Sequence, residues 1–211
     1  MEKNNTLTNA FLWLFIGLLI CFGVSLGCMN YVDKIYTAGS GIVFIILELG
    51  IALALGLFIR KIPPMLAKIL YLIYTAITGM SLTGIFYIYT TASITYVFLA
   101  TAVIFGAFAV LGKVTKIDLS RWWIYLLVGL FGILVLEIVN IFLANHTLHM
   151  GICILSVLIF SAYVAYDVNR LVHSTYLDDT ENKGIFFAFQ LFLDFINLFI
   201  RLLQLFGKSK D

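Results

Sequence analysis

Proline is almost missing from the sequence: the only two, Pro63 and Pro64, are adjacent and fall outside the apolar stretches, which therefore run on uninterrupted. Charge is scarce too, at 11% of residues, while 63% are hydrophobic and the mean hydropathy is +1.08. These values exclude an ordinary globular domain and belong to a polytopic membrane protein of helical spans joined by very short loops. A transmembrane β-barrel is excluded because the apolar runs are continuous and long, where barrel strands would alternate over about 10 residues. The three cysteines, Cys21, Cys28 and Cys153, all sit inside apolar runs. A disulfide framework or a zinc site needs clustered, accessible thiols, so these read as small packing residues. No internal repeat is evident, which weakens an inverted-repeat transporter reading, and there is no motif for nucleotide, flavin, haem or zinc.

What is there is a succession of seven apolar segments, at 9–31, 40–60, 67–89, 93–112, 121–144, 149–171 and 184–206. Each is long enough to cross a hydrocarbon core about 30 Å thick at about 1.5 Å per residue. The expected fold is an all-α polytopic membrane protein, a single domain over residues 1–211. The first segment lacks a small-residue cleavage site and is too long for a signal-peptide core, so it is expected to be retained. The connections after the second, fourth and sixth segments carry Arg60, Lys61, Lys68, Lys113, Lys116, Arg121, Arg170 and Lys183, whereas the others carry only Lys34. The positive-inside rule then puts the N-terminus in the cytoplasm and the C-terminus outside, with Lys208 and Lys210 dissenting from a very short tail. Lys and Arg at loops are topology signals, and with a net charge of +2 they give no reason to expect nucleic acid as a partner. Gly23 and Gly27 form a GxxxG, and Gly79, Ser81 and Gly84 do similar work, marking close helix contacts within the bundle or at a homo-oligomer interface.

The last segment, GIFFAFQLFLDFINLFIRLLQLF, carries Gln190, Asp194, Asn197 and Arg201. At roughly 100° per residue these four share one narrow stripe on an otherwise apolar cylinder. Such a stripe must face protein or water, so this helix is expected to be central, wrapped by the others. Three more acidic residues lie in or at the ends of spans: Glu48, Glu137 and Asp167. Each is a candidate functional group, because a carboxylate in an apolar medium needs a partner, water or a proton. Asp167 lies about one turn before the loop that leads into the last segment, and Asp194 about 10 residues after it, so antiparallel neighbours could bring the two together. Two carboxylates within a few Å share a proton and titrate as a coupled pair, which is a pH switch. Arg60, at a compatible depth, is the competing ion-pair partner for Asp167.

Glu48 needs a partner from another span, and Glu137 and Asn140 share a face of the fifth. Glu48, Glu137, Asn197 and Arg201 are candidates for an ion pathway. Arg201 could also neutralise Asp194 from within its own helix. His146 and His149 read as a solvated outer loop rather than a metal site, and Asp178, Asp179 and Glu181 as a solvated acidic inner loop.

The motifs AYDVNRL around Asp167 and LFLDFINLFIRLLQLFG around Asp194, on seven spans of this size, resemble the Bax inhibitor family, in its short bacterial members. The resemblance implies seven helices with the last one central, and pH-sensitive calcium leak across the membrane, for a bacterial chain the plasma membrane. It implies that Asp167 and Asp194 are a pH-sensing pair, that Arg60 can latch onto Asp167, and that Glu48 is the acidic residue of the second span. Calcium would be the transported ion, meeting Asp167 and Asp194 transiently, with no resident cofactor and no catalysis. Membrane lipids, protons and membrane-protein or homo-oligomeric contacts are the remaining partners. Competing readings are a proton-coupled calcium exchanger and a non-transporting membrane interaction or survival protein. An intramembrane aspartyl protease is remote, because Asp194 follows Phe192 and Leu193 rather than a Gly-x-Gly.

Overall fold

The computed structural model describes residues 2–36, 40–173 and 182–210. Seven long helices occupy the seven expected segments: α1 (Glu2–Cys28), α2 (Ser40–Phe58), α3 (Pro64–Ile88), α4 (Thr91–Val114), α5 (Trp123–Leu143), α6 (His146–His173) and α7 (Lys183–Phe206). Short helical turns at Met29–Tyr31, Val32–Ile35 and Leu119–Trp122 fill connections. Six helical stretches are long and apolar enough to cross a membrane; in α2 the apolar part, Val43–Phe58, is shorter. Among the described residues there is no β-strand, only one isolated antiparallel bridge between Tyr89 and Ser209.

Local signals account for the helix ends. The Pro pair starts α3, with Pro63 at the N-cap and Pro64 at the first helical position, where the missing N–H leaves no bond unmade. Ala144 ends α5 in the left-handed region at φ 47°, its N–H donating to Asn140 O at 2.8 Å.

The chain forms two compact units, Met1–Thr91 with Thr175–Phe192 and Ser209–Asp211, and Ala92–Ser174 with Leu193–Lys208. α7 is shared between them, and it is the most enclosed helix: 72% of its span is buried, against 50% or less for each of the others. In the first unit α1 packs on α3, where Tyr71 Oη donates to Trp13 O at 2.8 Å and the Ser25 hydroxyl meets Gly79 O at 2.7 Å. The rings of Tyr71 and Tyr74 stand edge-on to Phe192, and Tyr74 edge-on to Phe189. In the second unit Phe98 meets Phe195 and Phe199, and Phe105 meets Phe195. Both halves of α7 are thus cores of aromatic clusters.

Small residues permit the closest approaches. A Cβ at Gly79 would lie 2.5 Å from Cys21 O, and one at Gly112 would lie 2.2 Å from Ala165 O, both unyielding backbone atoms. A Cβ at Gly23 or Gly27 would meet no described neighbour within 4 Å, so this GxxxG makes no close helix contact among the described residues. We expect Gly79→Ala and Gly112→Ala each to destabilise the protein by about 1–3 kcal/mol through overpacking. Thermal unfolding in detergent checks this, with Gly23→Ala expected to match the wild type.

Candidate functional site

Asp167 lies six residues before the end of α6, and Asp194 lies near the middle of α7. Both belong to the second unit and both are buried, with 3% and 5% of their surface exposed. Their side chains hydrogen-bond to each other. Carboxylates are acceptors only, so a bond between two of them requires a proton on one. Sharing one proton in this way would leave the pair with a single negative charge. Losing the proton would set like charges against each other, worth about 4 kcal/mol at about 4 Å and an effective dielectric of about 20. The outer oxygens, Asp167 Oδ1 and Asp194 Oδ2, are buried with no hydrogen-bond partner among the described residues.

The groups facing the pair come mostly from α6. Tyr163 interacts electrostatically with both aspartates, and its ring meets that of Tyr166 at 6.4 Å. Arg170, one turn beyond Asp167, interacts with it electrostatically and lies 5.5 Å from the centroid of the Tyr166 ring. Chemically the arrangement can hold and release a proton, and it can offer hard oxygen ligands to a cation.

A second polar centre lies farther along α7. Arg201 Nη1 makes an ion pair with Glu137 of α5 and a 3.1 Å bond to Gln204 Oε1. Gln204 Oε1 also accepts from Cys153 Sγ at 3.5 Å, and Cys153 lies 3.6 Å from His149 Nε2. Arg201 thus neutralises Glu137, and the alternative in which it neutralises Asp194 gives way. The loop reading of the histidines is also corrected. His146 opens α6 and His149 is half-buried in its first turn, because the helix begins three residues earlier than the apolar run. Among the described residues no three His, Cys, Asp or Glu side chains group as metal ligands.

Glu48 lies in the first unit and accepts from Ser81 Oγ at 2.7 Å, the cross-span partner it needed. Arg60 is exposed in the turn after α2 and belongs to that unit, whereas Asp167 belongs to the other. Asn197 spends its amide on Leu193 O of its own helix at 2.8 Å. The acidic patch Asp178, Asp179 and Glu181 lies outside the described residues.

Two asparagines escaped the sequence reading. Asn169 donates to Gly112 O, Thr115 O and Ile117 O at 3.2–3.3 Å and accepts from Leu119 N at 3.1 Å, clamping the α4–α5 connection to α6. Asn182 donates to Ile59 O and Ile62 O, both at 2.7 Å, and so holds the turn that carries Arg60. Asn at a span end reads as a solvated cap, and only its placement beside Asp167 in DVNR hinted otherwise.

Residues 3–211 match the family described as inhibitor of apoptosis-promoting Bax1. A protein of Borreliella burgdorferi is 35% identical, covering 99% of this chain and 94% of its own length. Inner membrane protein YbhL of Escherichia coli is 32% identical, covering 94% of this chain and 89% of its own. A protein of Rickettsia prowazekii, RP147, is 31% identical over 92% of this chain and 85% of its own.

The Glu137–Arg201 pair gives a stability test. Arg201→Gln strands a carboxylate and is expected to destabilise the protein by roughly 3 kcal/mol, whereas Glu137→Gln combined with Arg201→Gln recovers much of that loss. Thermal unfolding in detergent of the two single variants and the double variant checks this.

Proposed function

The chain belongs to the Bax inhibitor family and is a multi-pass membrane protein; from that premise we propose that it is a pH-sensitive cation leak pathway, with calcium the ion and Asp167 and Asp194 the gate. The observation that carries this reading is the buried hydrogen bond between the two carboxyl groups. In that bonded form the pair seals the core of its unit and presents little charge to a cation. Proton loss places two charges where one proton had joined them, and that repulsion opposes the bonded conformation. Protonation thereby biases a two-state element, which is what a gate requires.

The same oxygens suit the ion. Calcium takes carboxylate and carbonyl oxygens in flexible geometry, and the separated pair offers several without a resident site. Transient rather than tight binding is what conduction demands. The inner membrane location that YbhL's name carries supports a bacterial plasma membrane for this chain as well. The distribution of Lys and Arg over the connections supports a cytoplasmic N-terminus and an outer C-terminus.

Calcium flux into proteoliposomes, followed with a trapped fluorescent indicator across a pH series, tests the proposal. We expect a pH-dependent flux in the wild type and a response flattened in both Asp167→Asn and Asp194→Asn. An unchanged rate and an unchanged pH profile in both variants would sink the proposal. Flux that reverses with an imposed pH gradient would mark a proton-coupled exchanger instead.

A further inference from the structure

We propose that the connection between α4 and α5, with the start of α5, is a docking surface for anionic lipid headgroups. Residues 113–121 read KVTKIDLSR, three basic residues against one acidic. Lys113, Lys116 and Arg121 are all exposed. Between and after them stand exposed apolar and aromatic side chains: Ile117 is 69% exposed, Trp122 and Trp123 are each 53% exposed, and Tyr125 is 73% exposed. In a water-facing loop such side chains would be a liability. At a membrane surface they enter the acyl boundary, while Trp and Tyr rings settle at headgroup level and Lys and Arg meet the phosphates.

The surface is preorganised rather than loose. Asn169 fixes the carbonyls of Gly112, Thr115 and Ile117 and the N–H of Leu119, so the loop is pinned on both sides of Lys116. The Trp122 and Tyr125 rings meet edge-on at 6.5 Å. The one acidic residue, Asp118, is exposed on the same segment. Asp118 accepts from Ser120 N at 2.9 Å, and its bonds to Ser120, then Arg121 and His173 nearby, hold its carboxyl below the usual carboxylate range. Asp118 thus stays ionised, and the three basic residues outweigh it to leave the segment net positive. An acidic protein partner would not need the apolar and aromatic side chains; a lipid surface uses both sets.

Native mass spectrometry of the purified full-length protein, titrated with phosphatidylglycerol or phosphatidylcholine, tests this. The wild type is expected to prefer the anionic lipid by at least about tenfold, and each of Lys113→Gln, Lys116→Gln and Arg121→Gln to lower that preference by roughly fivefold. The triple variant is expected to lose it. A charge-matched variant elsewhere, Lys34→Gln with Lys208→Gln and Lys210→Gln, is expected to keep it. The proposal is overturned if the wild type shows no preference, if both triple variants lose it equally, or if inorganic phosphate displaces the lipid and so marks a soluble-anion site. The single variants, each changing one exposed side chain, decide the matter should the triple variant not fold.

Discussion

A carboxyl group taken out of water into an apolar medium must find a proton, a cation or a donor within the chain, and that requirement orders the rest of this structure. The four acidic residues of the spans meet it in three ways. Glu48 takes a hydroxyl from Ser81, and Glu137 takes a guanidinium from Arg201. Asp167 and Asp194 take each other, an arrangement that two carboxyl groups can satisfy only by sharing a proton. A hydroxyl or an arginine is present at every physiological pH. Within the second unit, the Glu137–Arg201 pair ties α5 to α7, the helix that carries Asp194.

The same logic extends to the backbone. Loops of a few residues between long helices expose carbonyls that no helix bond satisfies, and at a membrane boundary water reaches them poorly. Asn169 and Asn182 answer for several such groups each, one beside Asp167 and the other at the turn bearing Arg60. Their amides make short loops rigid.

Much of this was legible beforehand. Continuous apolar runs without proline gave the seven helices, since length and hydropathy suffice where every backbone group must be paired internally. The stripe of Gln190, Asp194, Asn197 and Arg201 announced an enclosed helix, and α7 is the most enclosed one. Counting depth along two antiparallel segments put Asp167 near Asp194. What a stripe cannot tell is which neighbour each of its members meets. Arg201 shares a face with Asp194 yet turns to Glu137, because α5 supplies a charge at its level and rotamers of a long side chain reach several Å. Asn197 bonds to its own helix and needs no neighbour. Ser81 was read as a small packing residue, and its hydroxyl proved to matter more than its size. Arg170 was counted for topology alone, although its position three residues after Asp167 placed it on the same helical face.

If Asp167 and Asp194 form the gate proposed above, they hold one proton between them. Infrared spectroscopy of the reconstituted protein, following the protonated-carboxyl C=O band through a pH titration, tests it most directly. The wild type should lose that band in two separated steps that belong to the pair, and Asp167→Asn and Asp194→Asn should each collapse them into one. Aspartates that titrate independently in the wild type, with each variant merely removing its own step and leaving the other unmoved, would contradict the account.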